Sequence, residues 1–481
     1  MKNRLQPIVV YLLLICLLQS CKDQLKGDLI IKNVNIVNVE TGNIDPNMDI
    51  VIVDDRIKSI IKHSDNTVYI SENIYEGSGK YLIPGLWDMH VHLSMIGKES
   101  LPLFVLNGVT GVRDMGGDWS KLKSWRERGD EIRQNTFPKI KTAGPILESP
   151  QFYDVLQQIL GPNYVKDRIK IDSPERANKV VDSLSEMGVD LVKIRTVLSQ
   201  DVFKAIADAC KRNVISFTGH IDENIGIDFA VENGIETVEH DLFLQVLKMN
   251  NEEIKKVLET VSKSEVDFTP TLLAKYNTRL RPKNELIELL NDSLNYNKYR
   301  QYLSPKLIEN WNIQITIQGL ERPMKWDSLV VPLRSFSKLL SKEVNILAGT
   351  DSGVPGIIPG VGIHEELKMM VEELEVTNLE ALQSATINAT TNLKLENEYG
   401  LVKANFKADL LVLDANPLDD IANTFKINYV IKNGIVINKE DRESKLIRMT
   451  EAVKNESETY SPETLTYLKE IIKIMTSGSD Q

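Results

Sequence analysis

His90 and His92 stand one residue apart in the stretch LWDMHVH, and they are two of only six histidines in 481 residues. Residues i and i+2 of a strand point to one face about 6.6 Å apart, so both imidazoles can turn to a single ion while Val91 packs behind them. Taken alone, the pair fits an exposed polar strand better than a metal site. The other histidines change that balance. His220 closes the run VISFTGH and His240 closes IETVEH, and only His63 and His364 fall elsewhere. Four neutral imidazoles at the C-terminal ends of three strand-like runs could serve one or two metal ions. Asp351 follows the apolar run NILAGT in GTDSG, which would present its carboxylate at another strand end, and Lys193 sits inside DLVKI. Each also has a plain structural reading: Asp-Ser-Gly is turn-prone, and a lysine within a barrel can make an ordinary salt bridge. Arg113 and Asp114 in GVRDMGG could line a pocket or pair with each other. His364 in GIHEEL could touch substrate or cap a helix, and Tyr276 after TPTLLAK could reach over a site. No nucleophilic serine or cysteine triad is found.

Residues at strand ends must be held by strands. Apolar runs alternate with helical patterns at Tyr81–Pro84, Gly108–Val112, Ile140–Ala143, Val189–Ile194, Val214–Phe217, Thr237–Glu239, Asp267–Pro270 and Val344–Leu347, eight runs in all. That is the count for an α/β fold of the parallel (β/α)8 TIM-barrel type, whose chemistry sits at the C-terminal strand ends. Gly144–Ser173 and Leu280–Leu329 are longer than ordinary connections and read as insertions over the barrel mouth. Before and after this middle, LIIKNVNIVNVETG, MDIVIVDDRIKSII, ADLLVLDANPLDD and NYVIKNGIVIN alternate apolar and polar residues, so both flanks should meet in one small sheet domain. SPETLTYLKEIIKIM near the end reads as a helix that starts at Ser461-Pro462-Glu463.

Fifty-seven basic against 68 acidic residues leave a net charge of −11, which repels phosphate backbones and excludes nucleic acid as a partner. The N-terminus departs from this soluble pattern. Lys2 and Arg4 precede an apolar run from Ile8 to Leu18, and Gln19, Ser20 and Cys21 follow. The arrangement is that of a secretory signal, too short to span a bilayer. Leu18-Gln19-Ser20-Cys21 resembles the bacterial lipobox. That resemblance implies acylation of Cys21, tethering to a membrane surface, and a cell-envelope lipoprotein, with Lys22 and Asp23 hinting at the outer membrane. With Cys16 removed and Cys21 acylated, Cys210 remains alone, so disulfides and cysteine-based zinc sites are excluded.

PGLWDMHVH, GVTGVRDMGG, VKI, His220, VEH, AGTDSG, HEELKMMV, SATINATTNL and KADLLVLDANPLDD, in this order and spacing, resemble the amidohydrolase superfamily. The likeness is to its imidazolonepropionase-like and prolidase-like branch, and it covers roughly Leu29 to Asn438. It implies a metal-bearing barrel with a small β-sandwich built from both flanks. The chain then divides into signal 1–20, tether 21–27, sandwich 28–79 and 396–440, barrel 80–395 and helical extension 441–481. It further implies that His90, His92, His220, His240 and Asp351 ligate metal, that Asp351 moves the proton, and that Lys193 is carbamylated and bridges two divalent ions such as Zn2+.

A divalent ion lowers the pKa of bound water from 15.7 towards about 7, and Asp351 would accept the proton and return it to the leaving nitrogen. The expected reaction is hydrolysis of an amide-type C–N bond in a small molecule, a dipeptide of prolidase-like kind or an N-acyl amino acid. The alternative is a single-ion enzyme near His90, His92, His240 and Asp351 that opens a cyclic amide or deaminates. A reading from another class is an inactive lipoprotein that binds a small nutrient, although such a protein has little need of Asp351.

Overall fold

The alternation in the flanking segments decides the small domain. In the computed structural model, which describes residues 24–130, 136–240, 249–291, 299–317 and 344–455, five strands of the front flank join three of the rear. Leu29–Val37, Ile44–Val53, Arg56–Lys62, Asn73–Glu76 and Tyr81–Pro84 form one sheet with Leu410–Leu413, Ile427–Lys432 and Ile435–Ile437. The seam is the antiparallel pairing of Tyr81–Pro84 with Leu410–Leu413, with Leu82 opposite Val412. Leu410 and Val412 face the small domain's own core with Ile31, Ile50 and Leu82. Leu411 and Leu413 face the barrel-side core with Ile83 and Leu86. Burial on both faces is why this strand reads as an unbroken apolar run. The far edge curls back, since Ile57 donates its N–H to the Phe406 carbonyl at 2.9 Å.

Tyr81–Pro84, expected as the first barrel strand, therefore belongs to the small sheet, which runs beyond residue 80. Pro84 has no N–H for a barrel ladder. At Gly85 the chain passes so close to Thr110 that an added Cβ would lie 2.1 Å from its Oγ1. The break makes Leu86–Val91 the first barrel strand.

Parallel strands Val109–Asp114, Lys139–Thr142, Leu191–Thr196, Ser216–Gly219, Thr237–Glu239 and Asp267–Thr269 follow it. Asp190 N–H joins the third to the fourth through Thr142 O at 2.9 Å. The eighth position is held by the extended segment 346–351. Ile346 bridges Phe268 on one side, and on the other Met89 N–H donates to Ala348 O and Asp351 N–H to His90 O. The expected barrel is thus closed. Its outward residues, such as Val192, Ile194, Val238 and Phe268, pack under helices including Pro174–Met187 and Gln200–Asn213.

The described parts of both insertions reach the C-terminal strand ends. Ile146–Glu148 pairs along the fourth strand, and helix Pro150–Leu160 follows. Helix Pro305–Ile317 reaches the turn after Asp351 through Gln314 Nε2, which donates to Gly353 O at 3.0 Å. The rear flank ends in helix Lys439–Asn455. The signal segment, Cys21 and the Ser461-Pro462-Glu463 start lie outside the described residues. Among the described residues no helix is long and apolar enough to cross a membrane.

Candidate metal centre

Strand parity puts polar groups inside this barrel. On the first strand Trp87 and Met89 pack in one outer cluster and Val91 in another, so Asp88 and His90 point inward. The same parity turns Lys193 inward beside Leu191, and Thr237 and Glu239 inward across from Val238. Lys193, His90 and Glu239 are fully buried.

Three of the expected ligands meet. Nitrogen atoms of His90 and His92 and a carboxylate oxygen of Asp351 all lie within 4.8 Å of one another. Nε2 of His90 is 3.6 Å and Nε2 of His92 3.3 Å from Asp351 Oδ1. His240 adjoins this set, its Nδ1 3.9 Å from Asp351 Oδ2 and its ring centroid 4.7 Å from that of His90. His220 comes next, with its Nε2 2.7 Å from Nε2 of His240. All four histidines named from the sequence therefore form one contiguous group with Asp351. Lys193 lies close enough for its charge to act on both His90 and Glu239.

The residues fit a divalent cation. Nε2 of His90 is buried without a hydrogen bond, and the groups that surround it are neutral nitrogen donors and one anionic oxygen. Burial pushes the His90 imidazole down to about 4, so it is neutral. Burial alone would raise the Asp351 carboxyl, yet the three imidazoles that face it hold it well below the usual carboxylate range. Backbone geometry is unusual at the same place. His240, Thr271 and Asp351 have φ of 25°, 46° and 58°, in or near the left-handed region that side chains rarely adopt.

Several supporting residues are not marked out by the sequence. Asp88 takes the N–H and the hydroxyl of Thr350 at 2.9 and 2.6 Å, locking the first strand to the eighth. Glu366 accepts the N–H groups of Leu272 and Leu273 at 2.8 Å each. It thereby fixes the start of helix Leu272–Lys275, next to Thr271, whose hydroxyl lies 2.9 Å from His240 Nδ1. Glu239 bonds His90, Arg113 and Thr218. A charged residue at an inward position of a short apolar strand is the signal that could have found Glu239.

Two expected substrate contacts are corrected. Arg113 is buried and spends its guanidinium inside the barrel, donating to Met89 O, Thr237, Asn392, Glu239 and Thr269. Nor does it pair with Asp114, which instead accepts from Leu93 N–H and the Thr142 hydroxyl. Neighbours on one strand point to opposite faces, so they cannot meet. His364 is buried against Thr424 Oγ1 at 2.9 Å and Asn107 O at 2.8 Å, where it joins its helix to the short helix Ile421–Phe425 and to the turn at Asn107. Tyr276 opens the turn Tyr276–Leu280 with the Arg281 guanidinium 5.7 Å from its ring.

Residues 174–437 match the family model described as Amidohydrolase family. The imidazolonepropionase of Thermoanaerobacter pseudethanolicus is 29% identical over 111 residues, 23% of this chain and only 26% of that protein. The 5'-deoxyadenosine deaminase of Methanobrevibacter smithii is 23% identical over 429 residues, 82% of this chain and 81% of its own. In shape, the chain is similar to a crystal structure of a Xaa-Pro dipeptidase with bound methionine in the active site. The TM-score is 0.61 at 21% identity, with 85% of this chain and 99% of that one covered.

Proposed function

The chain belongs to the amidohydrolase family, and from that premise we propose that it is a metal-dependent hydrolase of an amide-type C–N bond. The substrate is a dipeptide, as in the prolidase-like relatives, or an N-acyl amino acid. The observation that carries this reading is the convergence of His90, His92 and Asp351 within 4.8 Å, with His240 and His220 adjoining. His90, His92, His220, His240 and Asp351 would hold the metal. Lys193, as its carbamate, would bridge a second ion, because a bare ammonium among cations is repelled. The bound cation supplies water activation and polarisation of the scissile carbonyl.

Asp351 does the proton work. Its carboxylate is ionised at neutral pH and sits at the mouth, where it takes a proton from the attacking water and returns it to the leaving nitrogen. The inserted segment 144–173 and helix Pro305–Ile317 shape what enters. By its first residues the protein is a lipoprotein anchored through Cys21 in the cell envelope, which a mass spectrum of the mature N-terminus tests.

A second reading, one ion acting on a cyclic amide or in deamination, draws on the tightness of the His90–His92–Asp351 set, which is already three ligands. A screen of dipeptides and N-acyl amino acids with zinc and bicarbonate, run beside metal analysis, separates the two. Two ions per chain and loss of turnover in Lys193→Ala support the first. One ion and full activity in that variant support the second, and no Asp351-dependent turnover of any compound removes both.

A further inference from the structure

Glu239 occupies the inside of the barrel with both oxygens committed. Oε1 accepts from Arg113 Nη2 at 2.6 Å and lies 2.6 Å from the Thr218 hydroxyl, which shares its hydrogen with Thr237 O at 2.8 Å. Oε2 lies 2.7 Å from Nδ1 of His90. Arg113 is fixed in turn, since it also donates to Met89 O at 2.7 Å and Thr269 Oγ1 at 3.1 Å. The buried guanidinium on Oε1 keeps the group a carboxylate, and a carboxylate has no hydrogen to give. The proton of the Glu239–His90 bond therefore sits on Nδ1, and the lone pair of Nε2 faces Asp351 and His92.

Two other histidines of the centre have uncharged oxygens at hydrogen-bond distance on Nδ1. Nδ1 of His92 has the Gly116 carbonyl at 3.4 Å, and Nδ1 of His240 has the Thr271 hydroxyl. His90 has a fully buried carboxylate at hydrogen-bond distance on Nδ1. Charge-assisted bonds of this kind are about twice as strong as neutral ones and raise the donor strength of the far ring nitrogen.

We infer that Glu239, clamped by Arg113 and Thr218, is the positioning residue that fixes the tautomer and rotation of His90 and so sets the affinity of the metal ion held by His90, His92 and Asp351. The competing account is that Glu239 only neutralises the buried Arg113 guanidinium. Removing both charges together separates the two accounts. The inference rests on the metal-dependent reading of the centre, and the test keeps failure of the one distinct from failure of the other.

Zinc affinity is measured on the full chain by competition with a chromogenic chelator, and the apo proteins are melted by circular dichroism. In Glu239→Gln, zinc binding should weaken about ten- to a hundredfold, the usual effect of losing such a partner. Because that variant strands Arg113, the double variant Arg113→Met/Glu239→Gln is measured beside it. The same weakening in the double variant, with cobalt(II) absorption bands shifted from those of the wild type, supports the inference. Wild-type affinity in the folded double variant overturns it and leaves only the neutralising role. If neither variant folds, Thr218→Val decides, with a severalfold weaker affinity expected and an unchanged one counting against. Wild-type protein that binds no zinc or cobalt at all defeats the metal reading itself, and the inference with it.

Discussion

His240 and Asp351, at the ends of the sixth and eighth barrel strands, approach within 3.9 Å while both carry positive φ, 25° and 58°. Of the two, Asp351 is the residue type that tolerates this backbone, because a short polar side chain visits the left-handed region at little cost. Asn tolerates it equally, so Asp351→Asn tests chemistry without disturbing the turn. Turnover should fall by about 10²- to 10⁴-fold, the usual worth of a general base, with little change in melting temperature. A variant that keeps turnover within tenfold of wild type would remove Asp351 from the proton path.

Arg195 stands two residues beyond Lys193 on the fourth strand, on the same inward face, with its side chain 33% exposed. Its guanidinium lies 4.1 Å over the Phe152 ring and 3.2 Å from Glu148 Oε1, which also takes Arg168. A stacked, partly exposed guanidinium at the mouth suits the free carboxylate of a dipeptide. Arg195→Met should raise KM about ten- to a hundredfold for substrates with a free carboxylate, the worth of a charged hydrogen bond. Their amide-capped analogues should change little, and kcat should hold. Equal losses on both substrate sets would mean that Arg195 shapes the mouth without reading charge.

How far these features can be read from residues alone differs by kind. His90, His92, His220, His240 and Asp351 are visible because ionisable groups at the ends of apolar runs are rare and strand parity says where they point. The first strand is misplaced because YLIPGLWDMHV is one apolar run by composition but two strands in space, divided at Pro84 and Gly85. Arg113 is misread because its role depends on Glu239 and Thr269, 126 and 156 residues away on strands across the barrel. No local pattern shows such a pairing. His364 likewise finds its acceptor 257 residues earlier, at Asn107.

Val214 ends helix Gln200–Asn213 in the left-handed conformation, φ 54°, where glycine is the usual residue. It is 87% exposed, so its side chain contributes no packing to set against the strain. The left-handed region costs a side chain roughly 1–2 kcal/mol, more for a β-branched one. Part of that gain is offset by the freer unfolded chain of glycine. Val214→Gly should therefore stabilise the fold by up to about 1 kcal/mol, visible as a higher urea midpoint with unchanged m-value. A lower midpoint would show that Val214 packs against something in solution.

His364 gives the fold a sensitivity to acid. Burial pushes its imidazole down to about 4 from the ordinary 6.5. Between those values the unfolded chain binds a proton that the folded chain refuses, so stability rises with pH over this window and is lost as pH falls through it. The full effect is about 3 kcal/mol at most, from 1.36 kcal/mol per unit. The folded ring donates from Nε2 to Asn107 O, and its Nδ1 lies 2.9 Å from Thr424 Oγ1, whose own hydrogen goes to Ile421 O. His364→Gln cannot charge. It should be less stable than wild type at pH 7, for want of shape and one bond, yet lose less stability between pH 6.5 and 4.5. Urea unfolding across that range measures both slopes. Parallel slopes would assign the acid sensitivity to other groups.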